Sequence, residues 1–209
     1  MKRKIDYTLY LCTDRMLMTT DTLEQAVEQA IQGGVTIVQL REKKCDSREF
    51  YQVAKTVRKV TDVYGVPLLI NDRLDIALAV NADGVHLGQT DLPIEVARRI
   101  LGTEKIVGAT ANTLERAKEA WQSGADYLGV GDVFGTSTKE NTKHIALSEL
   151  KEIKESVPIP VVAIGGVNQT NIASLRETGV DGAAVISAIL AQNEITTAAQ
   201  TLISNFLGE

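Results

Sequence analysis

The feature that most constrains this chain is an alternation, sustained from end to end, of short apolar runs rich in β-branched residues with longer amphipathic stretches. The short runs cover 7–13, 36–41, 67–71, 84–87, 106–109, 127–130, 160–164 and 182–186. Most lack apolar–polar alternation, the pattern of strands covered on both faces. The stretches 23–32, 47–64, 94–101, 114–123, 147–155, 170–177 and 198–206 have helical periodicity, and 73–80 supplies a short helix. Strand followed by helix, with short connections, builds parallel βαβ units. The only long loop lies between Val130 and Leu147.

Helix ends carry a recurring signal: Gly124-Ala125-Asp126, Gly179-Val180-Asp181 and, less fully, Gly33-Gly34-Val35. Glycine accepts the left-handed conformation that ends a helix, and Asn81-Ala82-Asp83 uses asparagine for the same purpose. The repetition favours a closed (β/α)₈ (TIM) barrel of the α/β class over an open doubly wound sheet. No Gly-x-Gly-x-x-Gly follows the first run, which weakens the dinucleotide-binding version of that sheet. With no linker or composition shift, residues 1–209 are expected to form one barrel domain.

Charge narrows the partners. A net charge of −5 argues against general nucleic-acid or acidic-membrane binding, so an anionic ligand needs local positive charge. Cys12 and Cys45 lack metal or redox spacing and read as reduced thiols. The basic start Met1-Lys2-Arg3-Lys4 leads into Ile5-Asp6-Tyr7 rather than an apolar run, and no segment approaches the ~18 apolar residues of a spanning helix. A cytoplasmic protein is expected.

In a (β/α)₈ barrel the active site lies at the C-terminal strand ends. There the sequence places Gln39-Leu40-Arg41-Glu42-Lys43 after the second run, Asn71-Asp72-Arg73 after the third and Gly88-Gln89-Thr90-Asp91 after the fourth. Thr110 follows the fifth, Gly135-Thr136-Ser137-Thr138-Lys139 the sixth, Gly165-Gly166 the seventh, and Ile186-Ser187-Ala188 ends the eighth. Asp72 and Asp91, beside Asn71 and Gln89, offer hard oxygen ligands that suit Mg²⁺ held by few carboxylates together with substrate phosphate. Taken singly, Asp72 can instead cap the helix from Arg73, and Asp91 can belong to a turn before Pro93. Both together, beside Arg41 and Lys43, favour the metal.

Gly165-Gly166, with Asn168 and Thr170 beyond, can present bare amides to a phosphate, as can the helix opening at Ser187-Ala188. Tight strand–helix turns need glycine for steric reasons as well. The loop 135–139 is hydroxyl-rich, carries one lysine and suits closure over an anion. Neither His86, expected in the wall of the fourth strand, nor His144, expected to face solvent, has a nucleophile partner. The cysteines have none either, so covalent nucleophilic catalysis is disfavoured.

The strings Gln39-Leu40-Arg41-Glu42-Lys43, Asn71-Asp72, Asp83-Gly84-Val85-His86-Leu87-Gly88-Gln89 with Asp91, Thr136-Ser137-Thr138-Lys139 and Ala163-Ile164-Gly165-Gly166 resemble, in order and spacing, the thiamine-phosphate synthase family. The resemblance covers nearly the whole chain. It implies a transferase that joins 4-amino-2-methyl-5-hydroxymethylpyrimidine diphosphate to a thiazole phosphate and releases diphosphate. It also implies Mg²⁺ at Asp72 and Asp91. Gln39, Leu40, Arg41, Glu42, Lys43, Asn71, Thr110 and Lys139 would then contact the pyrimidine diphosphate. Thr136, Ser137, Thr138, Gly166, Ile186 and Ser187 would contact the thiazole phosphate. Arg41, Lys43 and Lys139 would carry catalysis by neutralising the leaving group in a dissociative step that needs no strong base. The partners implied are two small phosphorylated molecules, not nucleic acid or membrane; the oligomeric state and a carboxylated thiazole are left open.

The sixth loop departs from the family pattern, with Asp132 and Gly135 where proline or alanine is usual. Glycine loosens the loop, and Asp132 is expected to add negative charge near a doubly anionic site. Thr110 stands for the more usual serine and keeps the hydroxyl. Three alternatives remain on the same fold: an isomerising thiazole tautomerase, a non-catalytic phosphate-ligand sensor and a phosphate-sugar isomerase. The tautomerase branch tends to lose the Asn-Asp pair and the second Asp, which this chain keeps as Asn71, Asp72 and Asp91. The sugar isomerase lacks a general-base pair here.

Overall fold

The structure, a computed structural model, describes residues 4–135 and 144–209. Eight strands close into a barrel in sequence order: β1 Leu9–Cys12, β2 Ile37–Leu40, β3 Leu68–Asn71, β4 Gly84–Leu87, β5 Ile106–Ala111, β6 Tyr127–Val130, β7 Val161–Ile164 and β8 Gly182–Val185. Every neighbouring pair is parallel, and β1 meets β8 through Tyr10 opposite Ala184. Because side chains alternate along a strand, each strand splits its residues between two cores. Tyr10, Cys12, Ile37, Leu69, Tyr127 and Val162 fill the barrel interior. Leu9, Leu11, Val38, Leu40, Leu68 and Ile70 face the surrounding helices. The all-apolar runs therefore reflect burial on both faces.

The helices are α1 Leu23–Gln32, α2 Ser47–Tyr64, α3 Leu74–Ala79, α4 Ile94–Leu101, α5 Leu114–Gln122, α6 Leu147–Ser156, α7 Ser187–Leu190 and α8 Ile195–Leu207. Thr22, Asp46 and Thr113 cap α1, α2 and α5 by accepting a backbone N–H three residues on. The helix expected over 170–177 is a 3₁₀ helix, Ile172–Thr178. The Ser174 and Thr178 hydroxyls bond carbonyls three residues back (2.7 and 2.6 Å), a local competition that favours the tighter winding. None of the helices formed by described residues is long and apolar enough to cross a membrane.

The helix-end signals behave as expected: Gly34, Gly124, Gly179 and Asn81 have φ of 105°, 95°, 72° and 50°. The aspartates that follow have a second role. Asp83, Asp126 and Asp181 stand just before β4, β6 and β8 and accept the amides of Leu68, Val107 and Val161 at the starts of β3, β5 and β7 (2.8, 2.8 and 2.7 Å). Thr36 does the same before β2 for Leu9 (3.2 Å). Arg58, Arg98 and Lys154 then pair with the three carboxylates at 2.5–2.6 Å. The N-terminal end of the barrel is thus laced strand to strand, two at a time.

Candidate active site

The C-terminal rim begins with the loop after β2. The Arg41 amide donates to the Thr13 hydroxyl (3.0 Å), joining this loop to the one after β1. Glu42 is held from below: its side chain is 6% exposed and accepts Arg15 through Nε (2.9 Å) and Nη2 (2.8 Å). Burial outweighs the Arg15 charge and pushes the Glu42 carboxyl up, and among the described residues its Oε1 has no partner. Arg41, Glu42, Lys43 and Lys44 line a cavity of about 530 Å³ with Arg15 and Met18. A larger cavity of about 730 Å³ opens at the opposite end of the barrel. It is lined by Asp83, Asp126 and Asp181, whose carboxylates clamp the strands, so the rim remains the candidate.

Asp72 and Asp91 are brought together. Asp72, just past β3, has φ +63°, a left-handed conformation costing a non-glycine residue on the order of 1 kcal/mol. Two backbone bonds fix it there: its own amide donates to the His86 carbonyl (2.9 Å), and the Arg73 amide donates back to Asn71 (2.7 Å). Asp72 does not cap the following helix; Arg73 takes that position and no side chain caps it. Asp91 does close a turn, its Oδ2 accepting the Gly88 amide (2.6 Å), yet its carboxyl also reaches Asp72. Lys43 forms an ion pair with Asp72.

Two carboxyls this close cannot both ionise freely. Partial burial pushes Asp72 up, but hydrogen bonds from Asp91 and Lys43, with the Lys43 charge, overcome it and leave Asp72 low. Burial and the neighbouring Asp72 raise Asp91. The two carboxyls thus titrate in opposite directions, the arrangement of a pair that a cation placed between them would relieve. Among the described residues no cluster of three or more His, Cys, Asp or Glu could hold a metal.

The remaining rim residues divide. Asn71 ends β3 with 9% exposure, Thr110 lies near the end of β5, and Gln39 is buried in β2. Leu40 points outward into the helix layer, so only its backbone can reach a ligand. Thr136, Ser137, Thr138 and Lys139 lie outside the described residues. Gly165 and Gly166 have φ of 102° and 66° and are crowded as well: a Cβ on Gly166 would strike the backbone of Phe134 and Gly135. Among the described residues no hydrogen bond uses either amide. Ile186 and the exposed Ser187 open α7 beside them. Asp132 is buried against Gly165, not exposed on the rim.

Sequence reasoning missed what lies beneath. Gln39 donates through Nε2 to the Tyr10 hydroxyl (2.7 Å), which meets the Tyr127 hydroxyl (2.7 Å), which meets His86 Nδ1 (2.8 Å). His86 Nε2 then meets the Thr110 hydroxyl (3.0 Å). Gly108 and Gly129 were the available signal, since a Cβ on the first would overlap the Tyr127 ring and on the second would sit 3.0 Å from His86 Cε1.

A closed eight-stranded barrel with charged side chains and loop amides collected on its C-terminal rim is a barrel enzyme. Residues 9–189 match the family described as thiamine monophosphate synthase, and the chain belongs to that family of transferases. It is 56% identical over 209 residues to the thiamine-phosphate synthase of Ruminiclostridium cellulolyticum, covering 100% of both chains. It is 50% identical to that of Clostridium beijerinckii, covering 99% of both. A solved thiamine phosphate pyrophosphorylase from Pyrococcus furiosus superposes with a TM-score of 0.90 at 44% identity, over 97% of this chain and 96% of that one.

Proposed function

We propose that the rim couples an aminopyrimidine methyl diphosphate to a thiazole phosphate, giving thiamine phosphate and diphosphate. The observation that carries this reading is the Asp72–Asp91–Lys43 cluster, two carboxyls and a cation converging where a diphosphate would lie. The curated relatives carry the synthase name, which sides against the isomerising and ligand-sensing alternatives.

The donor set fits Mg²⁺: two hard carboxylates, with the remaining positions open to phosphate oxygens and water. Asp72 and Asp91 would hold the ion, and when bound it supplies charge neutralisation for departing diphosphate. Lys43, already at Asp72, and Arg41 would bind the same diphosphate from the β2 side, with Lys139 from the sixth loop. The C–O bond to diphosphate breaks with its electron pair leaving on oxygen, and the amino-substituted ring stabilises the cation left behind. The thiazole nitrogen then attacks the methylene carbon and forms the C–N bond. No protein group need act as nucleophile in this scheme. Gly166, Ile186, Ser187 and Thr136–Thr138 would hold the second phosphate and aim the thiazole.

The test is a coupling assay with both substrates, with and without Mg²⁺, reading thiamine phosphate by fluorescence after oxidation. Product that depends on both substrates and on the metal is expected. No product under those conditions would end this reading.

A further inference from the structure

The polar chain under the rim has a direction. The Gln39 amide nitrogen donates to the Tyr10 oxygen. The Tyr10 proton therefore turns to its other partner, the Tyr127 oxygen (2.7 Å), and the Tyr127 proton turns to His86 Nδ1 (2.8 Å). In the opposite direction the Tyr10 proton would face an NH₂ group, which cannot accept it. A histidine that accepts at Nδ1 carries its proton at Nε2 when neutral, and here that nitrogen meets the Thr110 hydroxyl (3.0 Å). Thr110 then accepts from His86, and its own proton is left for whatever binds above.

We propose that Tyr127 and His86 are positioning residues for the coupling reaction: they hold the imidazole as the Nε2–H tautomer and so keep the Thr110 hydroxyl a donor to the bound pyrimidine. The inference rests on the function proposed above for the rim. A ring nitrogen of an aminopyrimidine is an acceptor, and it gains nothing from a hydroxyl already donating to imidazole. If His86 carried its proton on Nδ1, Thr110 would turn inward and offer only lone pairs.

The surroundings are built for this alignment. Tyr10 and Tyr127 are fully buried, and burial keeps both phenols protonated. The Tyr127 ring lies over Gly108 and the His86 ring over Gly129, positions where any Cβ would displace them. Gly108 on β5 thus makes room for a ring from β6, and Gly129 on β6 for a ring from β4, across the barrel interior. Among the described residues the Thr110 hydroxyl hydrogen-bonds His86 alone. A buried hydrogen-bonded chain is rigid in a way a hydrophobic floor is not.

Two measurements test the proposal. The chain has two histidines, so ¹⁵N spectra of the substrate-free protein can assign the His86 tautomer directly. A single Nε2–H form with a hydrogen-bonded Nδ1 is expected; an Nδ1–H form, or exchange between the two, overturns the proposal. The second is a double-mutant cycle. Tyr127→Phe and Thr110→Val alter groups joined through His86, and each should lower kcat/KM for the pyrimidine diphosphate about tenfold. Together they should also cost about tenfold, because both remove the same hydroxyl donor. An additive loss of about a hundredfold would reduce Tyr127 to a packing residue and overturn the proposal. Should Tyr127→Phe fail to fold, the wild-type tautomer decides. The spectra need no substrate, so a failed coupling assay would refute the function while leaving the tautomer to be judged separately.

Discussion

Arg98 lies on α4 at the N-terminal end of the barrel, and replacing it with alanine should be among the most costly changes outside the cores. Its guanidinium donates to the carbonyls of Gly102 (3.0 Å), Lys105 (2.7 Å) and Gly124 (3.0 Å) and pairs with Asp126 (2.5 Å). Asp126 in turn accepts the Val107 amide at the start of β5 (2.8 Å). One side chain therefore fastens the end of α4, the turn into β5, the turn into β6 and the carboxylate that registers β5 against β6. The Arg98 and Asp126 side chains are 19% and 23% exposed, so water can take over part of the lost bonding but not most of it. Hydrogen bonds to charged groups contribute about 1.5–3 kcal/mol each, and breaking a buried pair from one side costs about 3–5 kcal/mol. With the partial exposure, Arg98→Ala should cost about 3 kcal/mol, or roughly 6–12 °C in Tm for a chain of this length. Arg98→Lys keeps the pair with Asp126 and loses most carbonyl contacts, so it should fall between. Urea unfolding of both variants measures this. Turnover at 25 °C should stay at the wild-type level, because the partners of Arg98 lie at the N-terminal end of the barrel, opposite the rim. A loss below about 1 kcal/mol, the range of a solvated surface pair, would refute the idea that this end is laced by desolvated clamps.

Asp91→Asn should cut turnover about 10²-fold, since it removes one of the two carboxylates proposed to bind the ion. Without metal it should melt no lower than the wild type. The folded-state pKa of Asp91 is raised, so its ionised form opposes folding as pH rises past that value, and the amide removes the repulsion with Asp72. Mg²⁺ affinity, followed by calorimetry, should weaken as pH falls through the raised Asp91 value; pH-independent binding across the acid range would exclude the pair as ligands. Gly166→Ala should raise KM for the thiazole phosphate at least about tenfold, because φ is +66° and the new methyl would sit 2.8 Å from Phe134 backbone atoms. Gly65→Ala, at φ +64° with open space around it, should cost about 1 kcal/mol of stability and leave KM alone.

The barrel was legible because each strand is apolar on both faces and each helix on one. That makes the period change visible every time the chain turns back, and the Gly and Asn helix ends marked the turns down to the sign of φ. Pairings between distant residues were not. Tyr10 and Tyr127 are 117 residues apart and read as core in any run analysis; only closure of β1 onto β8 brings their hydroxyls together in the interior. The Asp83, Asp126 and Asp181 clamps were hidden for a related reason. The Gly-x-Asp or Asn-x-Asp signal predicts a helix end, and the carboxylate's partner belongs to the preceding odd-numbered strand. On the rim, the approach of Asp72 to Asp91 followed from adjacency of β3 and β4, whereas the burial of Asp132 did not follow from its place in a long loop.

The two ends of the barrel therefore obey opposite rules. At the N-terminal end Asp83, Asp126 and Asp181 each have a cation and a strand amide, so charge is spent on holding the strands in register. At the C-terminal end Asp72 sits at φ +63°, Asp91 is pressed against it, and Glu42 keeps an oxygen buried without a partner among the described residues. Each of those features costs stability, and the proposed cation and its phosphate would offset the two that arise from burial and charge, at Asp91 and Glu42. A substrate-bound rim should accordingly be more stable than the empty one by more than its contacts alone suggest. The clamped end gives the strands no freedom to relieve that strain by shifting. Rigid register below is what keeps Asp72 and Asp91 facing each other above, where the proposed cation would sit.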